Sequence, residues 1–240
     1  MRKATPKVRL YLARQALERY YRGDELAEEQ EEKLKELYRE NPDSKGLQKL
    51  RMRLLCRECS EMIVAAVIAE ARQEEKIFLR DKYKLRRSFT ALSCKLHIHV
   101  NGLQRWRDKF LGEVAQLMNY ELPERDIWSY RKVSVLVKVL ERNIEFLGMY
   151  GKGADEESLR RLCCLRERYL RLQKGMEAYA DSLDESIRTK VVKAHLAHVD
   201  INLVELAALT GYSHTTLNSY LGEFLREYYP EVKSSCPTAR

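Results

Sequence analysis

The sequence predicts an all-α protein: two similar units in tandem, each a helical hairpin followed by a three-helix head. Three observations carry this. In 240 residues there are only 10 glycines and 5 prolines, while 33% are charged, a composition that favours long helices over turn-rich sheet structure. Apolar residues recur at alternating intervals of three and four over long stretches, the period of a helix with one buried face. Finally, residues 89–114, "FTALSCKLHIHVNGLQRWRDKFLGEV", align without gaps beneath residues 203–228, "LVELAALTGYSHTTLNSYLGEFLREY", at an offset of 114. Leu92 then matches Leu206, Ile98 matches Tyr212 and Leu103 matches Leu217. Trp106, Phe110 and Leu111 fall on Tyr220, Phe224 and Leu225.

The elements follow in order. A helix is expected over about 7–22, an acidic one over about 25–40, and a long one from about 46 to 73. "ENPDSKG" (40–46) supplies the break between the last two. The first head should occupy about 75–118, with "EEKIFLRDKYKL" as its leading helix. "NYELPERD" (119–126) resembles a linker, dividing the chain into units 1–120 and 121–240. In 127–149, Tyr130, Val133, Val137, Leu140, Ile144 and Leu147 mark one helix stripe. Beyond "GKGAD" the facing stripe runs through Leu159, Leu162, Leu165 or Arg166, Tyr169, Leu172, Met176, Tyr179 and Leu183, with Asp155 as its expected cap. The second head should occupy about 184–228, led by "IRTKVVKAHLAH".

Within that head Leu203, Leu206, Ala207 and Leu209 are expected on one apolar face. Gly211 stands where the chain must leave right-handed geometry, which glycine does without steric cost. Tyr212 can fill the corner and Ser213 can cap the next helix, whose buried side is Leu217, Tyr220 or Leu221, and Phe224. Its other face holds His214, Thr215, Asn218 and Ser219, with Gly222. Small polar groups on the first turns suit a DNA major groove, where Asn pairs bidentately with adenine and Thr meets a thymine methyl. The spacing predicts a helix-turn-helix. The matching positions of the first copy are Asn101, Gln104 and Arg105, with His97 in the glycine's place and His99 in the cap's.

Charge is uneven. Residues 1–120 carry 26 Lys and Arg against 18 Asp and Glu, while residues 121–240 carry 18 of each. The stretch 76–109 alone has ten basic residues and two acidic ones, a density that attracts a polyanion. Lys82, Lys84, Arg86, Arg87, Arg107 and Lys109, with Arg105, are therefore expected to meet phosphates. The second copy has four basic residues in 188–226 and should bind DNA weakly by itself.

"ELAALTGYSHTTLNSYL" resembles the helix-turn-helix of sigma-factor region 4. The longer layout, a helical hairpin and then "LDESIRTKVVKAHLAHVDINLVELAALTGYSHTTL", is similar to the ArpU/RinA-type regulators of bacteriophage and prophage over about residues 128–228. The resemblance implies a transcriptional regulator that binds double-stranded DNA near promoters in a bacterial cytoplasm, with RNA polymerase as a candidate partner, no cofactor and no catalysis. Two features depart from that family: the unit occurs twice, and nothing resembles a promoter-melting region. A DNA-binding subunit of a packaging or recombination machine, of the terminase small-subunit kind, is the alternative, and a helical protein-interaction adaptor the third reading.

No enzyme is expected, since the chain lacks a phosphate-cradling glycine loop and an activated-nucleophile motif. Cys56 and Cys59 have the spacing of half a metal knuckle, but they lie within an unbroken helical pattern and no second pair follows. Buried reduced thiols are the expectation, and His195 and His198 are expected to be surface or hinge residues. The longest apolar run, "MIVAAVIA", is far too short for a bilayer, and the N-terminus lacks the apolar core of a secretory signal.

Overall fold

The computed structural model describes residues 6–23, 32, 36, 45–122, 129–150, 156–197 and 203–235. These form ten helices and no strand: α1 (Pro6–Arg22), α2 (Lys45–Ala69), α3 (Gln73–Tyr83), α4 (Phe89–Leu96), α5 (Val100–Leu117), α6 (Tyr130–Tyr150), α7 (Glu156–Ser182), α8 (Ile187–Ala197), α9 (Leu203–Thr210) and α10 (His214–Ser235). Of the expected acidic helix over 25–40 only residues 32 and 36 are described, both helical and exposed, while the Asp155 cap and His198 lie outside the described residues.

Helices α6 and α7 pack along one another as the apolar rhythm predicts, but the contact is wider than a two-helix seam. Besides Tyr130, Val133, Val137 and Leu140, the residues Leu136, Val139, Ser134 and Lys132 are buried. The reason is that α2 packs on another face of α6 and places it in the middle of the protein. Lys132 reaches the interior because acids meet it there. Its Nζ lies 3.0 Å from Glu70 just past α2 and 3.6 Å from Glu113 on α5. Tyr169 of α7 donates its hydroxyl to the Tyr120 carbonyl at 2.8 Å, tying the hairpin to the chain leaving α5.

One large apolar cluster runs from Ala13, Ala16 and Leu17 of α1 through α2–α8 to Phe224 of α10. A second, small cluster consists of Val191, Leu206 and Leu217, with Tyr212 and Tyr220 packed beside it. The trio α3–α5 thus builds on the main core, whereas α8–α10 joins that core through Val192, Leu196 and Phe224 and adds a small cluster of its own.

Four expectations need correction. The helix drawn as continuous through residue 73 stops at Ala69. Arg72 is extended, at φ −67° and ψ 162°, and α3 restarts after it. The Glu75 side chain accepts the Arg72 N–H at 3.0 Å and so closes the new helix end without any glycine or proline. The thiols are not generally buried: Cys59 is, whereas Cys56, Cys94, Cys163 and Cys164 are exposed. Cys163 and Cys164 fall between the stripe residues of α7 and so face outward. On α9, Leu206 is buried, but Leu209 is 59% and Val204 69% exposed. The inward arc of that short helix passes through Leu206, Ala207 and Thr210 and leaves Leu209 to one side.

His195 of α8 is partly buried rather than at the surface. Burial, assisted by the nearby Arg131 charge, pushes its pKa down to about 4. In the unfolded chain it would take a proton near its ordinary 6.5, so the unfolded state binds more protons between those values. Its stabilising contribution is complete above about pH 6.5 and falls away as the pH drops toward 4. For a partly buried group the loss should be on the order of 2 kcal/mol. Urea unfolding of the parent and of His195→Leu over pH 7 to 4 checks this: the excess loss belongs to the parent, and parallel curves would contradict it.

Candidate nucleic-acid interface

Two trios of helices share a local plan. The bounds of α8 and α9 each lie 114 residues after those of α3 and α4, at both ends, and α10 starts 114 residues after α5. A three-residue turn joins the second helix to the third in each. In the first trio His97 takes a left-handed conformation, φ 54° and ψ 35°. In the second, Gly211 takes it at φ 74°. His99 then caps α5, its Nδ1 accepting the Asn101 N–H at 3.2 Å, and Ser213 caps α10, its Oγ accepting the Thr216 N–H at 3.2 Å. Leu92, Leu103 and Phe110 are buried in one trio and Leu206, Leu217 and Phe224 in the other.

The two turn residues make opposite predictions. A Cβ at position 211 would meet nothing within 4 Å, so Gly211→Ala tests backbone conformation alone. It should destabilise by about 1 kcal/mol, whereas His97→Gly should stabilise by a similar or smaller amount. Thermal unfolding of both variants is the measurement, and shifts of the same sign would remove the left-handed geometry from one turn.

Packing the apolar side of each third helix leaves its polar side in water. On α5, Asn101, Gln104 and Arg105 are exposed, at helical spacing along one face. On α10, His214, Thr215, Asn218 and Ser219 are exposed likewise. There the Asn218 amide nitrogen lies 3.1 Å from His214 Nδ1, and Ser219 donates to Glu223 at 3.0 Å. With the His214 proton on Nε2, the Asn218 amide donates once to Nδ1 and keeps its other N–H and its carbonyl for a ligand.

The basic block divides into committed and uncommitted charges. Lys109 Nζ is held at 3.0 Å by Glu75, a buried carboxylate. Arg107 pairs with Asp108 at 2.7 Å. Lys82 lies over the Phe89 ring, 4.1 Å from its centroid, and donates to the Arg87 carbonyl at 3.3 Å. Arg87 approaches Asp81 at 3.7 Å. Lys84, Arg86 and Arg105 are exposed and have no acidic partner among the described residues. In the second trio Arg188 is taken up by Glu227 at 2.7 Å and Lys193 by Asp181 at 3.2 Å, which leaves α8–α10 poorer still in available charge.

Asp81 is the residue that the sequence pattern passed over. It is fully buried, with Lys95 Nζ at 2.6 Å, Arg80 at 3.0 Å and Arg87 farther out. Burial opposes its ionisation, but hydrogen bonds from Lys95 and Arg80 outweigh that and hold the carboxyl below its ordinary range. Asp81 therefore fastens α3 to α4 and sets the path of the cationic turn between them. The signal was available: it is one of only two acids in the block 76–109, and the other, Asp108, is also paired with a basic neighbour.

No family model, curated protein or solved structure matches the chain.

Proposed function

We propose that this chain is a DNA-binding transcriptional regulator of the phage or prophage kind, holding double-stranded DNA through two helix-turn-helix heads that repeat at an offset of 114. The observation that carries the reading is the exposed polar face on the first turns of α5, in a trio whose cations Lys84, Arg86 and Arg105 are exposed and have no acidic partner among the described residues. That is what a groove-reading helix with flanking phosphate contacts requires. The coincident bounds of the two trios and their matching buried positions support a repeat. The likeness of the second turn to sigma-factor region 4 supports the regulatory role.

The heads divide the work. The first supplies most of the sequence-independent affinity, because the available charge is there. The second contributes sequence choice through His214, Thr215, Asn218 and Ser219, with Asn218 reading an adenine edge. A second reading applies to α8–α10 alone: Val204 and Leu209 are exposed apolar residues on a weakly charged head, as suits a surface that meets a protein such as RNA polymerase.

Selecting bound duplexes from random DNA, then footprinting the preferred site, tests both. Asn218→Ala should cost about 1–3 kcal/mol at that site and leave nonspecific binding nearly intact. Two protected segments, one of them lost in the variant, support sequence readout by the second head. A single protected segment, indifferent to Asn218→Ala, assigns that head to a protein partner. Failure to recover any bound duplex rejects the DNA reading in favour of the adaptor.

A further inference from the structure

The turn between α3 and α4 carries an apolar side chain that the core does not use. Leu85 is 50% exposed, between Lys84 and Arg86, which are exposed too. Scattered exposed leucines are ordinary. This one differs because the turn presenting it is fixed from beneath. The Arg87 N–H donates to the Asp81 carbonyl at 3.1 Å, Lys82 donates to the Arg87 carbonyl, and the Asp81 carboxylate grips Lys95. Arg86 is held in a left-handed conformation at φ 54°, uncommon for any residue with a Cβ. The result is a rigid cationic loop with a leucine at its tip.

We propose that Leu85 is a minor-groove wedge. The inference rests on the DNA reading and deepens it. When the third helix of such a head lies in the major groove, the loop between the first two helices can lie against the flanking backbone, as it does in homeodomains. One strand farther is the minor groove. An apolar residue among Arg and Lys is the chemistry that enters a base step there, partly unstacks it and kinks the duplex. A narrow A·T-rich groove draws the flanking Arg side chain most strongly. The sequence of the second copy holds His198, Val199, Asp200 and Ile201 at the corresponding positions, with an acid where the first copy has Arg86. The wedge therefore belongs to the first head, and the protein bends DNA on that side of its site.

The test uses the full chain and 30-base-pair duplexes dye-labelled at both ends, with A·T-rich or G·C-rich flanks. The parent protein, Leu85→Met and Leu85→Ser are compared by titration and by end-to-end energy transfer. Parent and Leu85→Met should raise the transfer efficiency and prefer the A·T flank by about tenfold. Leu85→Ser should lose the bend and bring the preference within about twofold, while the slope of log affinity against log salt stays unchanged, since no phosphate contact is removed. Netropsin, which occupies A·T minor grooves, should erase the parent's flank preference. A duplex that the parent binds without change in transfer overturns the wedge but leaves the DNA reading standing, as does a Leu85→Ser variant that bends equally well. A parent protein that binds no duplex at any salt concentration overturns both.

Discussion

Phe78→Ala is expected to cost about 4 kcal/mol of folding free energy and to abolish cooperative unfolding of the first trio with the rest of the protein. The Phe78 ring is wholly buried, 6.3 Å from the Phe89 ring centroid and 5.9 Å from that of Trp106. It therefore joins α3, α4 and α5 at one point. Removing it takes away the transfer energy of a large side chain and leaves a void that two further rings cannot close without leaving their own positions. The same cluster continues into α1 and α2, so the loss reaches beyond the trio. Val192 occupies the matching place in α8 and is also fully buried, but Val192→Ala should cost only about 1–2 kcal/mol, in proportion to the smaller side chain. Guanidinium denaturation followed by tryptophan fluorescence and by far-ultraviolet circular dichroism gives the values. A Phe78→Ala loss below about 1 kcal/mol would mean that the three helices hold together by other contacts.

How far the sequence revealed this arrangement depended on the distance over which each decision is made. The boundaries of α9 and α10 were legible because Gly211 and Ser213 act within one turn of themselves. His97 and His99 do the same work with less familiar residues, and only the offset of 114 exposed them. The exposed faces of α5 and α10 followed from helical period, since burying Leu103 or Leu217 turns Asn101 or Asn218 outward. The break between α2 and α3 escaped because Arg72 is no turn residue. Glu75, which closes the helix end, is in turn held by Lys109, 34 residues away. That same pairing was invisible to a reading that took Lys109 for a phosphate contact. Asp81 gathers cations from its own helix, from the following turn and from α4, and its only trace in the sequence is its rarity as an acid within the block 76–109. The outward side of α9 was misjudged for a related reason: an eight-residue helix has too few turns for periodicity to fix which arc the neighbours cover.

Replacing Lys84, Arg86 and Arg105 together by glutamine is expected to weaken binding to every duplex, at about 0.1 M salt, by two to three orders of magnitude. The size follows from counterion release. Each phosphate contact contributes about 0.9 to the slope of log affinity against log salt, roughly an eightfold effect at that concentration, and three contacts multiply. Because none of the three has an acidic partner among the described residues, the substitutions break no ion pair and should leave the melting temperature nearly unchanged. Lys109→Gln is the instructive contrast. Its ammonium meets buried Glu75, so that variant should lose stability by about 1–3 kcal/mol while keeping nearly the parental salt slope. Titrations at several salt concentrations, with melting curves for each variant, separate the two behaviours. A triple variant whose slope matches the parent's would show that DNA approaches another face, and the wedge at Leu85 would fall with it. A Lys109→Gln variant that melts like the parent but loses one unit of slope would return Lys109 to the phosphate-binding set, with its bond to Glu75 giving way when DNA arrives.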